Sequence, residues 1–364
     1  MRNLRIVVCI VLSFWVLTSC TDLYLSLPVK EIRFKNLTDT LVHGYETDVQ
    51  VMGAKSIVVC DTFLVVLTND VQGYLKIYST ESLNFLGSLG SQGRAGNEFN
   101  KPSFLENPYI EDSDVILPLL DNNIVRKDLN ITRSLKEGKA VINSSGRVMN
   151  AAIGSSFDLK RDKDKQFVCN SYEITPPKPP TYYLKNGDQE TEIMVYPQMV
   201  RAVEDHVGFL GYVSHIYRHP YKDIFVEAFN LRDYLFYFDF EKESYYAVHQ
   251  KGALSFDDYY DVSAFSEGEE SVNFFWSGVC TNDFIMFLYG AGDYCIKSKD
   301  YKSSVTPQEV LVFDWSGNYL CGIKLDVRVQ KITYDQKHKV LYGLNDSNES
   351  IYGFNLSRYN IGKK

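Results

Sequence analysis

The stretch Glu309–Leu325, EVLVFDWSGNYLCGIKL, reads as strand, tight turn, strand. Val310, Val312 and Asp314 alternate with Leu311 and Phe313, and Ser316-Gly317-Asn318 supplies the turn chemistry of a hairpin. The same shape recurs as YLKIYSTESLNFLGSL at Tyr74–Leu89, IVRKDLNITRSL at Ile124–Leu135, TYYLKNGDQETEIMVY at Thr181–Tyr196, YLFYFDFEKESYYAVH at Tyr234–His249 and IYGFNLSRY at Ile351–Tyr359. Aligned on Phe313, the copies fall at Tyr78, Lys127, Tyr183, Phe238, Phe313 and Phe354, about 55 residues apart on average, the size of one blade. The longest step, from Phe238 to Phe313, marks an insertion.

A second strand pair precedes several hairpins. SIVVCDTFLVVLTND (Ser56–Asp70), FFWSGVCTNDFIMFLYG (Phe274–Gly290) and VQKITYDQKHKVLYGLND (Val329–Asp346) each hold two apolar runs split by turn residues. Each unit is thus four strands of antiparallel meander, and no amphipathic pattern longer than about two helical turns interrupts them. The expected fold is all-β, a six-bladed β-propeller with four-stranded antiparallel blades spanning 29–364. The last unit is one strand short. Val29–Leu37, where Ile32 and Phe34 alternate with Arg33 and Lys35, is expected to supply that outer strand and close the ring. Two β-sandwich domains are the alternative, but no linker-like stretch divides the chain.

Composition agrees. The 364 residues are 45% hydrophobic and 14% aromatic, with 26 Tyr and 22 Phe, a strand-rich inventory. The net charge of −8 and the scattered Lys and Arg argue against a nucleic-acid partner.

The glycine-rich stretch GSQGRAGNEFNKPSF (Gly90–Phe104) is the nearest thing to a phosphate-binding signature. A Walker loop would need Gly-Lys-Ser/Thr and then a helix, whereas Lys101 is followed by Pro102. The stretch instead links the last strand of unit one to the first of unit two. It reads as a corner in which Gly90, Gly93 and Gly96 allow positive φ and Phe99 packs inward. Gly90, Gly93, Glu98, Phe99 and Pro102 together resemble a stretch that ends the first blade of the TolB-like six-bladed propeller lipoproteins. SHIYRHPYKDIFVEAF (Ser214–Phe229) is similar to their fourth blade. The resemblance implies a lipid-anchored envelope protein of no established activity, and it carries over no catalytic residues.

The N-terminus fits that expectation. Two arginines in Met1–Arg5 precede the apolar run IVVCIVLSFWV (Ile6–Val16) and Leu17-Thr18-Ser19-Cys20. This is a signal-peptide pattern over 1–19, ending in a sequence that resembles the bacterial lipobox. Cys20 would be acylated, residues 20–28 would form a tether, and the membrane would be the first partner. Loss of Arg2 and Arg5 takes the formal charge from −8 to −10. The expected location is the cell envelope, on the outer membrane, with either face open; Asp22 lies where sorting signals reside. Five cysteines remain, Cys60, Cys169, Cys280, Cys295 and Cys321, an odd number read mainly as buried thiols, with Cys280–Cys295 the pair considered for a disulfide.

Candidate sites are few. His215 and His219, with His206 upstream, are the metal candidates, although strand residues four apart lie about 13 Å from each other unless the chain turns. Asp257, Asp258 and Asp261, with Glu267, Glu269 and Glu270, form an acidic insertion whose hard oxygens would suit calcium, without EF-hand spacing. Tyr259 and Tyr260 within it are the surface aromatics best placed to meet a ligand. TPPKPPTYY (Thr175–Tyr183) reads as a rigid loop or partner-binding extension, and Asp39-Thr40-Leu41 resembles an O-glycosylation triplet. No catalytic residue and no bound cofactor is expected. The favoured function is a non-catalytic binding or scaffold protein meeting an envelope protein or a glycan. The alternative is a propeller enzyme acting on a sugar, lactone or glycan with acids around the channel.

Overall fold

The computed structural model describes residues 27–33, 41–105, 107–122, 124–147, 154–170, 173–174, 177–178, 181–195, 214–230, 232–251, 270–272, 274–290, 295–297, 308–345, 347–359 and 361. Six antiparallel sheets form the ring of a β-propeller. Blade 1 is Ala54–Cys60, Phe63–Thr68, Leu75–Ser79 and Phe85–Leu89. Blade 2 has a split inner strand, Pro102–Phe104 and Tyr109–Glu111, then Asp114–Asp121, Val125–Asn130 and Ile142–Arg147. Blade 3 is Gly154–Asp158, Lys165–Asn170, Thr181–Asn186 and Gln189–Val195. Blade 4 is Ser214–Arg218, Ile224–Phe229, Tyr234–Asp239 and Ser244–Gln250. Blade 5 is Phe275–Cys280, Phe284–Tyr289, Glu309–Asp314 and Tyr319–Leu325. Blade 6 is Lys331–Asp335, Val340–Asn345 and Ser350–Asn355, completed by Gly44–Gln50 from the N-terminal region.

Where second and third strands are covered by neighbouring blades on both faces, as in blades 4 and 5, they run nearly continuously apolar rather than alternating. IFVEAF and FIMFLY are buried throughout. All six aligned positions, Tyr78 to Phe354, fall in the third strand of successive blades. In four blades the next residue is Ser79, Asp239, Asp314 or Asn355, and its side chain accepts a backbone N–H two residues on. An aromatic followed by such a residue therefore ends the third strand, and in blades 1, 4 and 5 it starts the turn to the fourth.

The ring is closed by an N-terminal strand, but not by the expected one. Gly44–Gln50 pairs antiparallel with Ser350–Asn355. Val29–Ile32 instead adds in parallel to the rim of blade 4, Val29 opposite Ala247 and Ile32 opposite Gln250, and Leu41–Val42 adds in parallel to blade 5. Both segments are short and half-exposed, so alternation alone cannot say which rim each joins. Residues 34–40, including Asp39 and Thr40, lie outside the described residues.

Blade 2 departs from the repeat. The expected hairpin at Ile124–Leu135 becomes a strand followed by a helix, Ile131–Glu137. Asn130 caps it by accepting from Arg133 N (2.9 Å), and Gly138 ends it at φ 67°. The fourth strand then begins at Ile142. Asn130→Ala is expected to destabilise the protein by about 1 kcal/mol, measured by chemical denaturation.

The Gly90–Phe104 stretch is the corner between blades 1 and 2. Gly90 has φ 78°, and a Cβ there would sit 2.9 Å from the Phe99 ring. Gly93 and Gly96 do not take the positive φ expected of them; Gly93 is glycine for another reason, since the Glu98 carboxylate occupies the place of its Cβ at 1.8 Å. That carboxylate accepts from Ala95 N (2.8 Å).

The largest core cluster joins blades 3, 4 and 5 and is aromatic. Phe167 lies 5.0 Å from each of Phe225, Phe238 and Phe240, measured between ring centroids. Such pairs add about 0.5–1.5 kcal/mol each beyond area burial.

Candidate functional site

Antiparallel connectivity gives the ring two unlike faces. Turns joining strands one to two and three to four fall on one face, and apart from the helix-bearing connection of blade 2 these are short: Asp61-Thr62, Asp112-Ser113, Glu241 to Glu243 and Gln336 to Lys339 among them. Positive φ at Asp61, Asp112, Ser113, Glu243 and Lys339 shows how tightly the chain reverses there. Connections from strand two to three, and from blade to blade, fall on the other face. There the described strands are separated by 196–213, 251–269 and 298–308. All long connections of blades 3 to 5 therefore leave and return on one face.

Two small sheets mark that face. Glu173–Ile174 pairs with Pro177–Lys178, so the proline-rich stretch forms a hairpin between the second and third strands of blade 3. Glu270–Val272, at the end of the acidic insertion, pairs with Cys295–Lys297 from the connection inside blade 5. At the same end of blades 4 and 5 is a buried polar cluster. Arg232, Asp233, Tyr234, His249 and Tyr289 are all buried, and the Tyr234 and His249 rings stack at 4.6 Å. Burial pushes the Asp233 carboxyl up to about 7, against hydrogen bonds from the Tyr289 hydroxyl and the Gln250 backbone.

The central channel differs from this face. Inner strands of neighbouring blades are stitched together. Val59 N donates to Thr333 Oγ1 (2.8 Å), Ile332 N donates to Ser277 Oγ (3.3 Å), and the Tyr217 hydroxyl bonds to backbone at Gly278. At the short-turn end, Asn107 reaches across from the break in blade 2's inner strand. Its Nδ2 donates to Arg218 O of blade 4 (2.8 Å), and its amide bonds the Cys280 thiol of blade 5. Blades 2 and 5 stand opposite each other in a six-membered ring, so this contact spans the channel. Cys280 is a free thiol pushed up to about 12 by burial, which answers the considered disulfide: Cys280 is not paired.

His215 lies on the inner strand of blade 4, exposed, 6.4 Å from the Tyr217 ring. Crowding by the surrounding strands and the Lys331 ammonium lower its pKa. His219 sits in the next turn, buried, with Nδ1 accepting from Tyr221 N (3.0 Å) and Lys222 N (3.1 Å). Its Nε2–H donates to Asn282 O (3.0 Å), so both nitrogens serve the turn and the imidazole stays neutral, its pKa lowered to about 4 chiefly by burial. His206, Asp257, Asp258, Tyr259, Tyr260 and Asp261 lie outside the described residues, as does Cys20. Among the described residues, no group of three or more His, Cys, Asp or Glu side chains is arranged to hold a metal.

Sequence reasoning missed a second carboxyl, Glu227, in the second strand of blade 4. It accepts from Tyr182 Oη (2.6 Å, at Oε2) and Ser214 Oγ (2.5 Å, at Oε1), and burial pushes it up to about 7. The available signal was an acid inside an apolar run, IFVEAF, where an unpartnered charge would be costly. A cleft of about 590 Å³ opens between blades 3 and 4 on the short-turn face. Its lining mixes Arg161 and Lys165 with Asp162 and Glu241, and Lys165 pairs with Asp162 at 2.9 Å, so it presents no single sign of charge.

No family model and no curated protein matches the chain. Among solved structures, a member of the DUF4221 family from Bacteroides vulgatus is similar over 91% of this chain and 97% of its own, at 10% identity and a TM-score of 0.52. A Bacteroides fragilis protein described as exported is similar over 90% of this chain and 98% of its own, at 9% identity and a TM-score of 0.46. The Neurospora crassa Pan2 WD40 domain is similar over 92% of this chain and 100% of its own, at 9% identity and a TM-score of 0.43. The first of these likenesses shows the propeller fold alone, and the TolB-like resemblance accordingly stands at the level of six-bladed architecture.

Proposed function

We propose that the protein is a lipid-anchored binding or scaffold propeller of the cell envelope, of the TolB-like kind, held by acylated Cys20. Its partner, an envelope protein or a glycan, meets the face that carries the long connections of blades 3 to 5. The observation that carries this reading is the channel. Its inner strands bond to one another from blade to blade, as Val59 N does to Thr333 Oγ1 and Ile332 N to Ser277 Oγ, and Asn107 reaches across one end. Hydrolytic propeller chemistry would need acids or metal ligands converging on the axis. Among the described residues, the one buried acid at an inner-strand end, Asp335, is bonded to His338 at 2.6 Å. The elaborated face, by contrast, has the length and variety that recognition loops use.

The competing reading is an enzyme acting on a sugar, lactone or glycan, with calcium at Asp257, Asp258 and Asp261. Two measurements separate them. A photoreactive residue at Arg328, exposed on the long-connection face, is expected to capture a discrete envelope partner, and one at Glu241 on the short-turn face is not. A thermal-shift screen of the mature domain against divalent cations and a glycan panel is the counter-test. An EDTA-reversible rise in melting temperature, together with turnover of a glycan, would replace the binding reading with the enzymatic one.

A further inference from the structure

The path of the N-terminal segment fixes how the ring would stand on a membrane. Leu27 is buried, and Pro28 O accepts from Ala247 N (2.9 Å), so the chain is held at this point. Val29–Ile32 runs parallel to Ser244–Gln250, the outer strand of blade 4. That strand begins at the turn after Asp239 and runs toward the blade-to-blade connections. The N-terminal end of Val29–Ile32 therefore lies on the short-turn side. Lys30 Nζ confirms the placement by donating to Asn318 Oδ1 (2.6 Å) in the blade 5 turn between strands three and four.

We infer that the short-turn face is the lipid-facing surface of the protein and that the long-connection face points away from the bilayer; this rests on the lipid-anchored reading above. The tether from Cys20 to Leu27 is seven residue steps, at most about 25 Å when fully extended. The outer strand of blade 4, seven residues long, is itself about 24 Å tall. To lay the opposite face on the bilayer, the tether would have to double back from the level of Tyr245 to Gln250, about 17 Å, which leaves only about 8 Å of a fully extended tether beyond the rim. The short-turn face needs no such extension.

The chemistry of that face is compatible with lipid headgroups. Tyr221, in the blade 4 turn, is 73% exposed, the most exposed aromatic side chain among the described residues. Lys160 sits over its ring at 5.9 Å and also donates to Pro220 O. Tyr and Lys with an apolar stem and a polar tip are the side chains that settle at the headgroup level. The arrangement also puts the Asn107 closure at the membrane end of the channel and leaves the other mouth facing water.

The test uses the full-length, acylated chain in the membrane of an expressing bacterium. A photoreactive amino acid is placed at Tyr221 and, separately, at Met52, which is 84% exposed on the long-connection face. Lipid adducts are counted by mass spectrometry. About ten-fold more lipid adduct from position 221 than from position 52 is expected, because a short tether raises the local lipid concentration on one side only. Inserting twenty Gly/Ser residues between Cys20 and Leu27 should bring the two yields close to equal. Equal or reversed yields with the natural tether, in a chain that carries acyl label on Cys20, overturn the orientation and leave the anchor standing. A chain without acyl label overturns the anchor and the orientation together.

Discussion

Replacing Asp121 by alanine is expected to destabilise the propeller by about 3–5 kcal/mol, the cost of removing one partner from a buried ion pair. Asp121 ends the second strand of blade 2 and is buried, as is Lys127. Its Oδ1 accepts from Asn100 N (2.8 Å) and Lys101 N (2.9 Å), and its Oδ2 accepts from Lys127 Nζ (3.1 Å). The same ammonium donates to Glu98 O and lies over the Phe99 ring at 4.8 Å. One carboxylate thus fastens the whole corner between blades 1 and 2 to the body of blade 2. Burial raises its pKa, but the two backbone N–H groups and Lys127 outweigh that, and the net direction is down. A lowered carboxyl contributes stability above the ordinary carboxylate range and loses it as pH falls through the folded-state value. Asp121→Asn keeps an acceptor for the two N–H groups and should cost about 1.5–3 kcal/mol. Asp121→Asn combined with Lys127→Met should cost clearly less than the sum of the two, since neither variant then leaves a lone buried charge. Urea denaturation of the natural chain, the three single variants and the double variant decides the matter, and a loss below about 1 kcal/mol for Asp121→Ala would show that the ion pair does not hold the corner.

Why the sequence showed the blades but not their fastening follows from range. Most third strands were legible because they are aromatic or apolar runs ended by local turn chemistry, as at Phe238-Asp239 and Phe313-Asp314; VRKDLN of blade 2 is the exception. Those signals act within a few residues. The helix after Asn130 was legible too: an N-cap asparagine and Gly138 eight residues later are start and stop signals. The repeat imposed a strand over them. The closing strand was not legible, because Val29–Ile32 and Gly44–Gln50 are both short rim strands and only the ring's geometry chooses between rims. Gln92 pairing beside Phe99, or Asp121 reaching back to Asn100, likewise requires knowing how one blade meets the next.

The candidate face was partly legible. The acidic insertion and the proline-rich stretch were both visible as departures from the repeat. That their described ends emerge on one side of the ring follows only once strand order is known, since an even number of reversals separates them. Asn107 carries no sequence signal at all. An asparagine in LENP is ordinary, and its role comes from the carbonyl of Arg218, 111 positions away.

The second large effect concerns Glu227. Glu227→Gln is expected to be nearly neutral at pH 4.5 and to stabilise the protein by about 3 kcal/mol at pH 8, relative to the natural chain at the same pH. Burial is the first cause of its raised value of about 7; the Ser214 and Tyr182 hydroxyls pull the other way and lose. Below the unfolded carboxyl value near 4.5, both states hold the proton and nothing is lost. As pH rises from there to about 7, the unfolded chain releases its proton while the folded chain keeps it, so folding weakens at about 1.4 kcal/mol per pH unit. Above pH 7 both states are ionised and the penalty stays constant. Glutamine cannot ionise, and it still offers an acceptor to Tyr182 Oη or Ser214 Oγ, so it keeps the contact and loses the penalty. The natural chain's own pH profile is a poor test. His219, with its pKa lowered to about 4 and both nitrogens engaged, makes folding strengthen with rising pH over much of the same window. Asp233, raised to about 7, adds to the effect of Glu227. The difference between variant and natural chain cancels these shared contributions and isolates one carboxyl. A difference that does not change between pH 4.5 and pH 8 would mean that Glu227 ionises as an exposed carboxyl does and that burial does not govern it.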